Sequence, residues 1–207
     1  MLTKPFIGKI LTLCIGIALT QVIVGQERSS IFNQKDLAGW RVEGKDVEGH
    51  WTVVGEQLIG ENKNKTGSNL WTKKDYADFD LELEYKTTSK DYDTGVFARA
   101  PSHQIQIGIS RSLKRDMTGC IYAPKDKKGS YPGQTPKVAK FHRVGEWNKL
   151  RIMVRGNMIH TYLNDEPFVS YDALTIPARG PIGLQLHANV HMKVQFRNLT
   201  LKELGTN

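Results

Sequence analysis

Apolar and polar side chains alternate along four segments of the chain. Over 79–85, aromatic residues and leucines occupy the odd positions and acids occupy the even ones. A similar alternation returns over 105–109, 150–154 and 182–186. A period of two is typical of a strand that buries one face and turns the other outward. These segments are therefore predicted to form half-buried strands.

The regions between the apolar runs are rich in turn-forming residues. Gly156-Asn157 separates two such runs and predicts a tight hairpin, because both residues tolerate positive φ. No window of a dozen residues after the N-terminal segment has the spacing of an amphipathic helix. The pattern therefore predicts an all-β fold, a sandwich of two antiparallel sheets. The stretch 123–144 is polar and rich in Gly and Pro, and loops of this length are usually functional or disordered.

The first 25 residues have the features of a secretory signal. Two lysines precede an apolar run over 10–19, which resumes at 22–24 and ends in Gly25. The run is interrupted and falls short of the roughly 20 apolar residues that a membrane span needs, so no integral membrane span is expected. We predict a signal peptide at 1–25, a single domain at 26–207, and a secreted or periplasmic location.

The chain is basic, and the surplus charge is concentrated in one region. The formal net charge is +8, and residues 111–146 contain nine lysines and arginines against three acids. Such a patch is compatible with nucleic-acid binding or with attraction to acidic glycans at the cell envelope. The signal segment favours the second interpretation, so we expect no nucleic-acid partner. The sequence predicts no oligomeric state.

No sequence motif indicates a cofactor. A phosphate-binding loop, a dinucleotide fingerprint and a nucleophile elbow are all absent from the sequence. His187 and His191 would lie roughly 13 Å apart on a strand, which is too far for a shared metal ion. Asp91 and Asp93 offer the oxygen ligands that calcium prefers, but they lack the spacing of a known calcium loop. The prediction is therefore no cofactor and no metal.

Several short motifs occur in an order that resembles one family, the 3-keto-disaccharide hydrolases, which are secreted bacterial domains also described as 3-keto-glycoside lyase/hydratases. The resemblance covers about residues 31–204. It implies a concanavalin-like jelly roll, two curved antiparallel sheets whose concave face receives a carbohydrate. The motifs that carry it are Phe32–Trp40, Trp51–Gly60, Tyr76–Leu81, Asp93–Arg99, Gln104–Ile107, Thr118–Tyr122, Glu146–Asn148, Gly180–His187 and Phe196–Asn198.

Polar residues that alternate with the apolar core positions are the candidate sugar-binding residues. Amides and a guanidinium offer paired donors and acceptors to vicinal hydroxyls, and an aromatic ring covers the apolar face of a sugar. Trp71, which follows a Gly-containing loop, is predicted to be an exposed stacking platform. For each candidate, the alternative is a solvated outward face. The candidates are Arg99, Gln104, Gln106, Tyr122, Gln185 and His187, together with Trp71.

The resemblance also implies a reaction. A ketone at C3 of the sugar acidifies the C2 proton, a base removes it, the C1 substituent is expelled, and water adds to the unsaturated intermediate. His187 is the candidate base because an imidazole is largely neutral near pH 7. Arg99 is the candidate that stabilises the developing enolate oxygen.

Two alternatives remain open. Family members commonly carry an acid where this chain has Gln104, and an amide cannot act as a general base. A non-catalytic carbohydrate-binding module on the same fold is therefore an alternative, and an envelope-interaction domain that uses the basic loop is a third. Glu82 and Glu84 share a strand face beside Asp80, where we expect a charged surface rather than the carboxylate pair of an ordinary glycosidase.

Overall fold

The computed structural model describes residues 27–89, 91–124, 126 and 135–205, so the predicted signal segment lies outside the described residues. The described part is almost entirely β structure, with one four-residue helix, α1 (Val138–Phe141). Its strands are β1 (Ser29–Ser30), β2 (Trp40–Glu43), β3 (Trp51–Val54), β4 (Gln57–Glu61), β5 (Ser68–Tyr76), β6 (Phe79–Thr87), β7 (Asp93–Ala98), β8 (Gln104–Ser110), β9 (Arg115–Asp116), β10 (Ile121–Tyr122), β11 (Asn148–Arg155), β12 (Met158–Leu163), β13 (Glu166–Asp172), β14 (Gly180–Leu186) and β15 (Lys193–Glu203).

The strands form two antiparallel sheets, which confirms the predicted all-β sandwich. Sheet I has the order β13-β12-β11-β6-β15-β4-β3, with β1 paired to β15. Sheet II has the order β10-β8-β7-β14-β5-β2, with β9 paired to β8. Many strands that are neighbours within a sheet are distant in sequence, so long-range pairings such as β6 with β15 and β7 with β14 hold each sheet together.

One apolar core lies between the sheets and explains the alternation in the sequence. Leu81 and Ile152 from sheet I and Ile105 and Leu184 from sheet II are at most 1% exposed and belong to the same packed cluster. Burying a side chain of this size stabilises the fold by about 1.5–3 kcal/mol. The inward positions of both sheets are thus fixed by packing, and the intervening positions are left to face outward.

Positive-φ turns connect the outer strands of sheet I. Gly156 (φ 55°) lies in the two-residue turn between β11 and β12, as the sequence predicts. Asn164 and Asp165 (φ 51° and 67°) form the next turn, between β12 and β13. Two successive residues with positive φ match the right-handed twist of the strands that they join. The tight hairpins therefore keep β11, β12 and β13 in register.

The outward face of sheet I is charged, and its charges pair with one another. Asp80 accepts hydrogen bonds from Arg151 at 2.8 and 2.9 Å and forms an ion pair with Arg28 at 2.8 Å. Burial opposes ionisation of Asp80, but the hydrogen bonds from these two arginines outweigh it and lower its pKa. Glu82 and Glu84 have basic partners on the same face. This arrangement agrees with the expected charged surface.

The sole cysteine in the described part of the chain, Cys120, is fully buried. Burial raises the pKa of its thiol to about 11, so the thiol stays protonated near neutral pH and is a core residue. Within the described residues, no helix has the length and apolar character needed to cross a membrane.

Candidate functional site

The outward face of sheet II carries amides where sheet I carries charges. Cross-strand register places the outward side chains in two rows that run across four or five strands. Because outward residues that face one another across strands are close neighbours, each row forms a continuous surface. The first row is Asn69, Gln185, Gly95 and Gln106, and the second is Trp71, Gly183, Phe97, Gln104 and Tyr122.

A glycine allows two of these amides to meet. A Cβ atom on Gly95 would lie 2.7 Å from Nε2 and 2.8 Å from Cγ of Gln104, so the Gln104 side chain lies across the space that a larger residue would fill. Gln104 Nε2 donates to Gln185 Oε1 at 2.9 Å. In this arrangement Gln185 Nε2 keeps its two N–H donors, and Gln104 Oε1 keeps its acceptor capacity. The pair therefore presents both hydrogen-bond donors and a hydrogen-bond acceptor to a ligand.

A second glycine lies beneath the aromatic residues of the face. A Cβ atom on Gly183 would lie 2.4 Å from the indole of Trp71, so the ring packs over the bare backbone. Trp71 stacks on Phe97 with ring centroids 5.2 Å apart and is only 3% exposed. The prediction that Trp71 is an exposed stacking platform is therefore wrong. The outward position is right, but the neighbouring ring and the glycine gap bury the indole.

A cleft of about 410 Å³ opens on this face. Its volume is within the range of about 300–1,000 Å³ that is usual for small-molecule sites. A second cleft of about 270 Å³ lies alongside and shares Asn69, Gln185 and His187 with the first. We call the first the amide cleft. Its lining residues are Asn69, Asp93, Phe97, Pro101, Gln104, Gln106, Ser110, Arg111, Ser112, Tyr122, Gln185 and His187.

Larger clefts exist elsewhere. One of about 600 Å³ lies beside His142, and one of about 630 Å³ lies beside Arg99. Neither combines a histidine with the converging amides of sheet II. Size alone therefore does not identify the site, whereas the density of neutral hydrogen-bonding groups favours the amide cleft.

His187 lies where the two adjoining clefts meet, and its ring has a defined orientation. Its Nδ1 is 2.7 Å from the carbonyl oxygen of Ala188. Because a carbonyl oxygen only accepts hydrogen bonds, Nδ1 carries the hydrogen in the tautomer that this contact assigns. Nε2 of the neutral ring then carries a lone pair. This is the protonation state that a general base requires.

Gln106 is buried and acts on another residue of the cleft. Its Nε2 donates to Asp93 Oδ1 at 2.7 Å, and the backbone N–H of Arg111 donates to Asp93 Oδ2 at 2.9 Å. The sequence raised Asp93 only as a calcium ligand, which its spacing did not support, and Asp93 was not among the predicted sugar-binding residues although it lines the amide cleft. The available signal was its position two residues before Gly95, on the same outward face as that glycine and Phe97.

Arg99 does not face the amide cleft. It donates to the carbonyl oxygens of Ala77, Gly156 and Pro177 at 2.7–3.1 Å and forms an ion pair with Asp78 at 2.8 Å. The prediction that it shares a surface with Gln106 and His187 is therefore wrong. The reason is local: β7 ends at Ala98, and Arg99 has a positive φ of 61°, so the alternation no longer predicts the direction of its side chain.

The other predicted residues lie together. Gln104, Gln106, Tyr122, Gln185 and His187 all line the amide cleft. In the described part of the chain, no three histidine, cysteine, aspartate or glutamate side chains gather closely enough to hold a metal ion. What this face offers is a hydrogen-bonding surface of four side-chain amides with one imidazole, one carboxylate and one arginine, a composition suited to polyhydroxylated ligands.

Comparison with known proteins points in the same direction. Residues 27–202 match the model of the 3-keto-alpha-glucoside-1,2-lyase-like domain family. A curated protein from Bacteroides thetaiotaomicron, named 3-keto-disaccharide hydrolase, is 29% identical over 178 residues. That match covers 70% of this chain and 59% of the relative, so the chain spans less than two thirds of the relative's length.

Solved structures share the fold. A Parabacteroides distasonis protein described as a candidate glycosyl hydrolase is 21% identical, with a TM-score of 0.63, and the match covers 86% of this chain and 94% of that one. A carbohydrate-binding module, CBM66 from Bacillus subtilis, is 15% identical, with a TM-score of 0.52 and coverage of 80% and 96%. At these identities the likeness concerns the fold alone, and it confirms the expected jelly-roll sandwich.

Proposed function

We infer the function from one premise: the chain belongs to the 3-keto-alpha-glucoside-1,2-lyase-like domain family. Family and fold together make it a carbohydrate-active, hydrolase-like protein on a sugar-binding jelly roll. The finer proposal is that it cleaves 3-keto-glycosides by elimination and hydration. The observation that carries this proposal is the 2.7 Å contact of His187 Nδ1 with the carbonyl oxygen of Ala188, in a residue that lines a cleft with four side-chain amides.

In the proposed elimination, His187 Nε2 takes the proton from C2 of the sugar. The electron pair of that C–H bond forms an enolate with the C3 ketone, the C1–O bond breaks, and the departing oxygen takes up a proton from solvent water. Gln185 supports this step, since its oxygen already accepts from Gln104 and its amide N–H groups are available to the ketone oxygen. Neutral amide donors stabilise such developing oxyanions. Gln185 thus replaces Arg99 in the role first assigned to the guanidinium.

In the proposed hydration, water adds to C1 of the unsaturated sugar, and a proton returns to C2. The net result is addition of water across the original C1–O bond, and His187 ends in its starting state. The second cleft beyond Asn69, Gln185 and His187 gives the departing group a place to lie, because it is continuous with the site of the base. Both steps require only acid–base chemistry.

The decisive assay uses a purified chain and a 3-keto-glycoside such as methyl 3-keto-α-glucoside, with release of the aglycone as the readout. We expect turnover by the wild type and a loss of about 10²–10⁴-fold in His187→Ala, the usual contribution of a general base. His160→Ala is the matched control, because His160 is a half-buried histidine of β12 on sheet I. Undiminished turnover in His187→Ala would remove the assigned base.

A non-catalytic binding module is the second candidate. Gln104 favours it, since an amide stands where family members commonly carry an acid, and CBM66 shares the fold. Binding of 3-keto-glycosides without any product release, under conditions in which the chain is folded, would support this candidate over the enzyme.

We also propose export from the cytoplasm, on the basis of the charged and apolar pattern of residues 1–25. Expression of the full chain in a bacterial host, followed by fractionation and N-terminal sequencing, tests this proposal. We expect a mature chain that begins near Gln26 outside the cytoplasm. An uncleaved chain retained in the cytoplasm would contradict the proposal.

A further inference from the structure

Asp93 is a buried carboxylate in the wall of the amide cleft, and both of its hydrogen-bond donors are neutral. It is 7% exposed, and its two donors are the side-chain amide of Gln106 and the backbone N–H of Arg111. Across the described residues, no lysine, arginine or histidine nitrogen forms an ion pair with it. Burying a charge without a counter-charge is unfavourable unless hydrogen bonds compensate. A carboxylate retained in such a position indicates a role toward a ligand.

The two existing hydrogen bonds leave Asp93 with unused acceptor capacity. An ionised carboxylate has about four lone-pair sites, of which the amide and the backbone N–H occupy two. The residue opposite Asp93 in β8 is Gly108, which has no side chain to occupy the remaining sites. A ligand can satisfy these sites only with hydrogen-bond donors. Sugar hydroxyls are donors, whereas a ketone or a ring oxygen is not.

Asp93 and the proposed base line the same cleft. Leu186 of β14 pairs with Thr94 of β7, and His187 and Asp93 are the residues that directly follow and precede this last pair. A sugar that presents its C2 proton to His187 therefore has a neighbouring part of its ring against Asp93. A hydroxyl on that part of the ring can donate a hydrogen bond to the carboxylate of Asp93, whereas a keto oxygen would be repelled by it.

We propose that Asp93 is a specificity-determining residue that binds one sugar hydroxyl and thereby fixes the orientation of the keto sugar in the cleft. Gln106 and the Arg111 backbone hold the carboxylate in place for this contact. The inference rests on the proposed function, because it assumes a sugar whose C2 faces His187. It assigns Asp93 to substrate recognition, so that the hydroxyl edge of the ring lies against the carboxylate and the ketone lies against amide N–H groups.

The test is a binding cycle that needs no turnover. The full chain carries His187→Ala to prevent consumption of the probe, alone or together with Asp93→Asn. The probes are methyl 3-keto-α-glucoside and its 2-deoxy, 4-deoxy and 6-deoxy analogues, and NMR titration gives each dissociation constant. Asp172→Asn is the matched control, because Asp172 is an exposed carboxylate at the end of β13 in sheet I. Urea unfolding verifies that every variant is folded.

We expect Asp93→Asn to weaken binding of the parent probe by about 10- to 100-fold, the effect of losing a charge-assisted hydrogen bond. One deoxy analogue lacks the hydroxyl that Asp93 binds. Removing that hydroxyl should weaken binding as much as Asp93→Asn weakens binding of the parent probe. For this analogue, Asp93→Asn should cause no further loss of affinity. Asp172→Asn should change nothing.

If Asp93→Asn lowered the affinity for all probes equally, Asp93 would support the structure without binding a particular hydroxyl, and the inference would be overturned. Unchanged binding in Asp93→Asn would also overturn it, and neither result would affect turnover by the wild type. The expected pattern of dissociation constants, found together with a wild type that never cleaves the parent probe, would support the hydroxyl contact and refute the proposed reaction. Absence of binding by any variant would refute both.

Discussion

The outer faces of the two sheets share one alternation and differ in their polar chemistry. On sheet I, Asp80, Arg28 and Arg151 neutralise one another through ion pairs at 2.8 Å and supporting hydrogen bonds. On sheet II, Gln104 and Gln185 form a single amide hydrogen bond and keep other donors and acceptors available. A period of two therefore shows which residues of a strand face outward. The residue types at those positions show whether the polar groups of the face pair with one another or remain available to a ligand.

The largest expected effect concerns Arg99, which belongs to neither outer face. Arg99→Ala leaves three backbone carbonyls without this donor, and Asp78 keeps only the hydrogen bond from the backbone N–H of Gly156. We expect the free energy of unfolding to fall by about 3–5 kcal/mol, the usual result of breaking a buried ion pair, while turnover per folded molecule stays unchanged. Urea unfolding and active-enzyme titration measure the two quantities.

Arg41→Ala is the control for Arg99. Arg41 pairs with Glu43, both side chains are about half exposed, and such a surface pair contributes about 0–1 kcal/mol. A loss of turnover in folded Arg99→Ala, with little change in stability, would restore the catalytic role that the structure argues against.

The next effect tests the charged face. Asp80→Asn removes the negative charge and one of the two carboxylate oxygens that bind Arg151 and Arg28, and we expect a loss of about 1–3 kcal/mol in unfolding free energy near neutral pH. Because the pKa of Asp80 is lowered in the folded state, its contribution is present above about pH 4 and disappears as the pH falls through the lower folded value. The difference in unfolding free energy between the wild type and the variant should therefore decrease toward zero in acid. A difference that stays constant as the pH is lowered into strong acid would contradict the ion-pair account.

A smaller effect compares two glutamine pairs of nearly equal length. Gln104 bonds Gln185 at 2.9 Å on sheet II, and Gln195 bonds Gln57 at 3.0 Å on sheet I. Gln104→Ala and Gln195→Ala should each destabilise the fold by about 0.5–1.5 kcal/mol. Only Gln104→Ala should also weaken sugar binding, by roughly 5- to 10-fold, since it releases Gln185 from its position. Equal binding by both variants would remove the distinction between the faces.

The smallest expected effect is that of salt. A neutral keto sugar carries no charge for salt to screen, so raising the ionic strength to about 0.5 M should leave its affinity for the amide cleft nearly unchanged. An attraction of the basic region over 111–146 for an acidic glycan would weaken strongly under the same conditions. Calorimetric titration at two salt concentrations separates these cases, and a large salt effect on the neutral sugar would favour the envelope-interaction alternative.

The fold was predictable because apolar burial follows strand periodicity over long stretches. The segments over 79–85, 105–109, 150–154 and 182–186 all lie in strands with their apolar residues inward. The hairpin at Gly156 was predictable for a similarly local reason. The cleft residues Gln104, Gln106, Gln185 and His187 followed from the same rule, because they alternate with buried residues of β8 and β14 or directly follow them.

The errors have physical causes that a linear pattern does not contain. Arg99 lies one residue past the end of β7, where a positive φ redirects its side chain toward carbonyls from three distant turns. Trp71 faces outward as predicted, yet Gly183 and Phe97, which are distant in sequence, bury it. Asp93 became a candidate only when the hydrogen bond from Gln106 and the shared lining of the amide cleft brought it into the site. For Trp71 and Asp93 the deciding contact is long-range, whereas for Arg99 the local positive φ redirects the side chain first.

The most direct test of the sugar site is an NMR titration of the nitrogen-labelled chain with methyl 3-keto-α-glucoside, followed through the side-chain amide resonances. The account predicts that the amide signals of Gln104, Gln185 and Asn69 shift as the sugar is added. Those of Gln57 and Gln195, the matched pair on sheet I, should stay in place. Shifts confined to Gln57 and Gln195, or to the backbone around His142, would contradict the assignment of the amide cleft as the site of sugar binding.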